Sequence, residues 1–493
     1  MLNPLHILKH SMKLSAGSLA GIVLSFGATI IVARMLGPDM LGQVNFVLLW
    51  LGYAGLIRLG LLDAGHREMA DRLGRGEQDE ARRVQNHALS GEALWSVVPA
   101  SLLLCASLLA DEPLRRVGFV IAPLIYLATI ASRVLASTHL VYQHFGIYGR
   151  MNAVRSIGQP LLLMGLVLWI GAYAYFIAPL IIEWTVVALY LLRGPSLGLR
   201  WELNGAALRR LLRYGAAFGL GNLVYWAYRL VGSTSVAMWF SVQDLGYYTF
   251  VAMFVTVALQ VFGDFSGVLT PILWSSVGKS QDTRQFHREY TRLTVFVVVA
   301  GCMVANLAQA GFGPFISLAV PQFVPGIEIF NILAFNIVVL TTTFVPSLLL
   351  SSAQVNKQWL QLSIAILALA INIVANYVVM RSGLGVTMIA WNDIWVQLIV
   401  VVVGYAVAQR HMFSHRKDAW SLYSTITALC MCCVLTYWLL EHFFAIPGEA
   451  SVSALIISMI LRVVVAGGVW LTVGAVIYAL GHRQVGVAAQ HVS

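Results

Sequence analysis

The sequence predicts an all-α polytopic membrane protein with about fourteen transmembrane helices. Three observations predict it. Hydrophobic residues fill 59% of the 493 positions and charged residues 11%, against about a quarter charged in a soluble domain. Most apolar runs reach about 20 residues, the length that crosses a hydrocarbon core of about 30 Å. Lys and Arg gather in alternate loops, as orientation by positive charge requires. In lipid every backbone polar group needs an internal partner, so the spans are helices.

The spans fall near 14–34, 41–63, 88–110, 117–142, 151–171, 173–192, 213–239, 245–275, 292–313, 326–352, 358–380, 384–408, 418–440 and 452–479. Gly37 and Pro38 end the first, and Gly42 opens the second. No small-residue cleavage site follows the first span, so it reads as a span and not as a signal peptide. The stretch 64–87 mixes arginines with Glu68, Asp71, Glu77, Asp79 and Glu80, and reads as a surface helix with solvated charges. The stretch 193–213 is basic and reads as a linker. The longest outer loop runs near 311–326, with Gly-Phe-Gly-Pro and then Pro321 and Pro325, and leaves no room for a folded outer domain. Pro99, Pro160, Pro179, Pro271 and Pro346 mark kinks inside spans.

A repeat underlies this order. Val32, Ala33, Leu41, Gly42, Phe46 and Val47 return as Val236, Ala237, Leu245, Gly246, Phe250 and Val251, and Gly74 returns as Gly278. Each offset is 204, across a turn, a helix and a loop. The expected division is 1–192 for a first lobe, 193–212 for the linker, 213–408 for a second lobe, and 409–493 for two further helices and a tail. Because each repeat holds an even number of spans, the axis relating them runs along the membrane normal.

The basic loops carry Arg67, Arg72, Arg75, Arg82 and Arg83, then Arg200, Arg209 and Arg210, then Lys279, Arg284 and Arg288; the opposite loops hold only Arg34, Arg115, Arg116 and Arg381. Both termini are therefore expected in the cytoplasm. The net charge of +10 is a topology signal, because no basic soluble module exists to bind nucleic acid. Cys105, Cys302, Cys430, Cys432 and Cys433 all lie in apolar runs and read as packing residues without disulfides or metal. No Gly-Lys-Ser/Thr loop, zinc spacing or nucleophile motif is present. The expectation is no enzyme, no cofactor and no metal centre.

Charges inside spans are costly and mark function. They are Arg58, Arg133, Glu183, Arg229, Asp264, Asp393 and Arg462. An arginine keeps its charge and offers a planar fork of donors suited to phosphate. Arg58, Arg229 and Arg133 are accordingly candidate contacts for an anionic substrate, with Tyr225 and Trp226 beside Arg229 either as bulky packing or for stacking on a sugar. Asp264, Asp393 and Glu183 are candidates for coupling to H+ or Na+, since burial raises a carboxyl's affinity for a proton. Internal ion pairing of the same arginines and acids is the alternative for each.

The opening stretch resembles the polysaccharide flippase family within the multidrug/oligosaccharidyl-lipid/polysaccharide exporter superfamily. The matching residues are Ala33-Arg34, Leu36-Gly37-Pro38, Leu41-Gly42, Leu59-Gly60-Leu61 and Arg67-Glu68, with a second set at Asn372, Asn376, Gly383 and Gly385. Where the family often shows Gly-Ala-Ala, this chain reads Gly385-Val386-Thr387. The resemblance implies two pseudo-symmetric six-helix lobes around a central cavity, two extra C-terminal helices, and alternating access. The implied cargo is a lipid-diphosphate-linked oligosaccharide; the implied partners are membrane lipid and glycan polymerase or export proteins. The rival readings are a cation-coupled drug antiporter of the same fold, a membrane glycosyltransferase or polymerase acting on lipid-linked sugars, and a non-transporting scaffold. The antiporter would want acids to dominate the cavity, and the enzymes a large outer loop.

Overall fold

The computed structural model describes residues 4–57, 60–193, 198–259, 283–350, 357–412, 416–444 and 451–490. Among them no strand occurs. The helices are α1 (Pro4–Leu56), α2 (Leu61–Gly74), α3 (Gln78–Leu108), α4 (Pro113–Val141), α5 (Phe145–Ile170), α6 (Ala174–Arg193), α7 (Gly205–Trp239), α8 (Val242–Leu259), α9 (Thr283–Ala319), α10 (Gly326–Leu333), α11 (Phe335–Leu350), α12 (Gln358–Arg381), α13 (Val386–Met412), α14 (Arg416–Phe443) and α15 (Val452–Gln490). Eleven stretches of the described residues are long and apolar enough to cross a membrane, and three of these contain a break, Gly326–Ser347 between α10 and α11 among them. The break in Gly21–Leu56 is Gly37, at φ 75° and ψ 171°; the break in Phe145–Arg193 is the turn Gly171–Tyr173. Only glycine takes that φ without strain, and Pro38 then suits the first turn of the next helical segment. The protein is thus an all-helical, multi-pass membrane protein.

The chain falls into two compact units, residues 1–249 and 250–493. In the first, α1, α3, α4 and the turn before α6 bury Val44, Val47, Phe119, Ile125 and Phe176 together. Phe46 meets Phe119 edge-on at 6.3 Å between centroids. A side chain at Gly118 would strike Phe176 at 2.7 Å, so glycine there sets how closely α4 and α6 pack. Between helices in lipid such contacts stabilise by dispersion, since lipid tails are as apolar as the residues buried.

The repeat seen in the sequence is visible here as a contact. Asn45 Nδ2 donates to Thr249 Oγ1 at 2.8 Å, and the two residues are 204 positions apart. A Cβ on Gly42 would lie 1.9 Å from the Val242 carbonyl oxygen; one on Gly246 would lie 1.9 Å from that of Pro38. Val242 is the repeat equivalent of Pro38, and Gly246 of Gly42. Equivalent residues touching, flanked by reciprocal contacts, is the geometry of a two-fold crossing. Tyr53 and Thr234 hydroxyls, 2.6 Å apart, continue the seam between α1 and α7.

Several boundaries differ from the sequence reading. The second span ends at Leu56 and not near 63, because Trp95 Nε1 takes up the Ile57 carbonyl at 2.6 Å and Gly60 turns the chain at φ 69°. The charged stretch after it holds α2, whose Leu61, Leu62, Ala64 and Met69 are buried. Burial there pushes His66 down to about 4, against the opposing pull of Asp63, so its ring packs uncharged. Helix α7 begins at Gly205, ahead of the expected 213, where Asn204 caps it by accepting from the amides of Ala206 and Ala207. Helix α9 runs to Ala319, through the expected outer loop. Phe312 stacks on Phe330 at 3.6 Å, and this packing outweighs the breaking tendency of Gly311, Gly313 and Pro314. The tenth span is broken between α10 and α11.

In the second unit the last two helices are fastened to α9 by buried polar groups. Trp470 Nε1 on α15 donates to Asn306 Oδ1 at 2.8 Å, and Asn306 Nδ2 donates to the Cys433 carbonyl on α14 at 3.2 Å. Gln309 Nε2 donates to the Asn331 carbonyl at 2.8 Å. Arg462, 1% exposed, pairs with Glu441, which makes it a tie between α14 and α15. Cys433 is buried against Cys302 of α9 and does not face lipid.

Candidate functional site

Helix α7 continues as an apolar helix through Asn222-Leu223-Val224, then turns aromatic and cationic at Tyr225, Trp226 and Arg229. Residues one turn apart share a helix face. Arg229 Nη1 accordingly donates to the Tyr225 hydroxyl at 3.2 Å. Its guanidinium lies 5.9 Å from the Tyr225 ring centre and 5.6 Å from that of Trp226. The two rings meet edge-on at 5.7 Å. Tyr225 is 50% and Trp226 41% exposed. The arrangement holds a cationic fork between two accessible ring faces, which is chemistry for a phosphate next to a sugar.

Arg133 is half-buried on α4, and its carbonyl accepts from Ser137 Oγ at 2.6 Å. Its neighbour Ser132, and not Arg133, faces Glu183, donating at 2.6 Å. Glu183 is instead gripped by Arg155 of α5, with Nε at 2.7 Å from one oxygen and Nη2 at 2.9 Å from the other. Arg155 Nη2 also donates to Ser132 Oγ at 2.7 Å. This ion pair, with one hydrogen bond from Nη2, ties α4, α5 and α6 and leaves the carboxylate little freedom to exchange a cation. Arg58 and Asp264 lie outside the described residues.

Asp393 occupies a different setting, in the second unit. Asn336 of α11 donates to its Oδ2 at 2.8 Å, Asn372 of α12 to its Oδ1 at 3.1 Å, and Gln397 of α13 to Oδ2 at 3.4 Å. Asn392 Nδ2 donates to Asn376 Oδ1 at 3.2 Å, extending the polar row. Asn372 and Asn376 are fully buried. The amide oxygens of Asn336, Asn372 and Gln397 are buried and have no hydrogen-bond partner among the described residues. Three carboxamides thus aim nitrogen at one carboxylate and leave three oxygens orphaned, a costly arrangement in a membrane helix bundle. A half-turn of each amide would present oxygen to a cation beside Asp393.

The sequence reading missed four of these groups. Arg155 is absent from the intramembrane charges picked out above, yet it lies within α5. Glu92, 2% exposed on α3, belongs with the intramembrane charges and was passed over; its place four residues inside the span starting at 88 was the available signal. Asn336 and Gln397 are neutral amides in apolar runs, and nothing in their spacing sets them apart.

A family model described as "Polysaccharide biosynthesis protein" matches residues 144–310. Lipid II flippase MurJ in an inward closed conformation superposes with a TM-score of 0.67 at 9% identity, covering 94% of this chain and 98% of that one. The protein shares the fold of that structure. An inward-facing multidrug resistance MATE family transporter of the MOP superfamily superposes at 0.58 with 15% identity, covering 83% and 96%. A MOP superfamily transporter from Pyrococcus furiosus Vc1 superposes at 0.54 with 15% identity, covering 82% and 95%. No curated protein sequence matches the chain. The family-model match and the shared fold agree in kind with the resemblance read from the sequence.

Proposed function

We propose that the protein moves a lipid-diphosphate-linked oligosaccharide across the bacterial inner membrane by alternating access, for assembly of a surface polysaccharide. The carrying observation is the Arg229 cluster: a fork of phosphate-type donors with two open ring faces on a helix of a MOP fold. The polysaccharide family match and the fold shared with a lipid II flippase support the same reading. The sugar rides in a polar cavity, and the lipid tail stays in the bilayer. Arg58 and, less directly, Arg133 contribute further positive charge. The test is deletion of the gene: the lipid-linked intermediate should accumulate on the cytoplasmic leaflet. An intermediate that still reaches the outer leaflet at the normal rate refutes the reading.

The drive is assigned to Asp393. With its three amides turned nitrogen-first, the carboxylate's charge is stabilised by hydrogen bonds; turned oxygen-first, the same groups accept Na+, or a proton on the carboxyl. Asp393→Asn keeps the size and removes the charge. It should cut transport about tenfold or more, equivalent to about 1.4 kcal/mol, and abolish the response to an imposed Na+ or H+ gradient in vesicles. Transport that keeps its gradient dependence removes Asp393 from coupling. Asp264 is the second candidate for this role, and Glu183, held by Arg155, is the weakest.

A further inference from the structure

We propose that the chain entering α7, with the first turns of that helix, is a docking surface for anionic phospholipid in the leaflet on the side of the basic loops. The inference stands apart from the transport reading, because it names a lipid the protein holds whatever cargo it moves.

Residues 198–204 form no helix. They lie as a strap along α3. The Arg200 amide donates to Asn86 Oδ1 at 3.1 Å, and the Glu202 amide donates to Ser90 Oγ at 2.9 Å. The Glu202 carbonyl accepts from His87 Nδ1 at 3.1 Å. Alternate residues thus turn their backbone groups to α3, as extended chain does, and in extended chain residues 201 and 203 share a face. Leu199 ties down the start of the strap by packing against Leu135, Val187 and Tyr190. Asn204 ties down its end by capping α7. The strap is therefore held at both ends and in the middle.

What this fixed strap shows to its surroundings is apolar. Trp201 is 61% exposed and Leu203 47%. Both lie beside Asn86 and Ser90, where α3 enters its apolar run. A tryptophan at that level marks the border between headgroups and acyl chains. Helix α6 arrives at the same end of the unit on Leu191 and Leu192, both exposed, and then Arg193.

The charge around the strap is uncompensated. On α2 and α3 the basic groups are paired: Arg72 with Glu77, Arg75 with Asp71, and Arg83 with Glu80. Arg210 of α7 is taken by Glu68 at 2.8 Å. Arg193, Arg200, Arg209 and Arg213 are exposed, and among the described residues none of them forms an ion pair. Glu202 is the one acid between 193 and 213. It is half-buried, and Asn86 Nδ2 holds its Oε1 at 3.0 Å. Orientation in the membrane needs only a surplus of positive charge in these loops. It does not require that the single acid be turned inward, nor that Trp and Leu stand among free arginines. An anionic bilayer surface matches both features. Its phosphate oxygens accept from guanidinium forks, its negative potential draws the surplus charge, and Trp201 and Leu203 enter the acyl boundary beneath.

The experiment uses the full-length chain with its five cysteines replaced and a spin label at L203C, in nanodiscs of phosphatidylcholine with or without phosphatidylglycerol. Oxygen should relax the label more than a water-soluble nickel chelate does, as expected at the acyl boundary. Phosphatidylglycerol carrying a nitroxide in its headgroup should broaden the label several-fold more than phosphatidylcholine carrying the same group. R200E with R209E should bring the two lipids level, and this variant breaks no ion pair. R200K with R209K keeps the charge and should keep most of the preference. R83E removes an arginine already paired with Glu80 and should leave the preference unchanged. Equal approach of the two lipids to the starting protein overturns the proposal. An equal loss of preference in R83E also overturns it, since the attraction would then belong to the whole basic side. A label reached by the nickel chelate and shielded from oxygen overturns it as well, and makes an acidic protein segment the better occupant.

Discussion

Replacing Arg229 with Ala should abolish export of surface glycan while the protein still accumulates in the membrane. The argument is electrostatic. An arginine in an apolar helix is kept at a cost, and here its guanidinium is held by the Tyr225 hydroxyl and two ring faces. A charge-assisted contact to phosphate is worth about 2–3 kcal/mol, so its loss weakens capture of the head group roughly 30- to 150-fold. Lys at this position restores charge without the planar fork and should recover only part of the activity. Phe at Tyr225 removes one bond that orients the guanidinium and should have a smaller effect. Membrane abundance and thermal stability, measured beside export, separate a lost contact from a lost fold. Normal export by the Ala variant at normal abundance takes Arg229 out of the site.

The second large effect is expected at the two-fold crossing. Ala at Gly42 would place its methyl 1.9 Å from the carbonyl oxygen of Val242, and Ala at Gly246 would do the same against Pro38. Ordinary overpacking costs about 1–3 kcal/mol because side chains give way; here both obstacles are backbone, and the helices themselves must separate. The Asn45–Thr249 hydrogen bond, which lies on the axis, is lost with them. Each variant should therefore fail to close this crossing and should lose export, and the two should be impaired alike because their geometry is reciprocal. Maleimide labelling of a cysteine placed at Asn45 should rise in both. Wild-type export by both variants, or a large difference between them, contradicts the symmetric crossing.

The sequence reading and the structure agree where free energy is dominated by solvent. A 20-residue apolar run has few alternatives in a bilayer, so the helical class, the span order and the Gly37 break were legible. The repeat was legible as well, because the constraint at Gly42 and Gly246 admits no side chain and so marks both copies with the same residue. The Arg229 cluster was legible because its members lie within one helical turn. The partners of Glu183 and Asp393 were not. Arg155 is 28 residues from Glu183, and Asn336 is 57 from Asp393; neither spacing carries a signal.

By itself, then, the amino-acid order determined that the chain is helical and crosses a membrane many times, and it carries a pattern of residues that returns at a constant offset of 204. Hydropathy, glycine and charge act locally and can be read one position at a time. Tertiary structure alone decided which partners the intramembrane charges meet. Glu183 and Arg462 are tied off by Arg155 and Glu441, while Asp393 is ringed by amides with oxygen to spare. It also decided that α9 runs on through Gly311 and Pro314, because Phe312 finds Phe330. Both decisions turn on neighbours brought together across helices, and a contact of that kind has an energy only once the helices have packed.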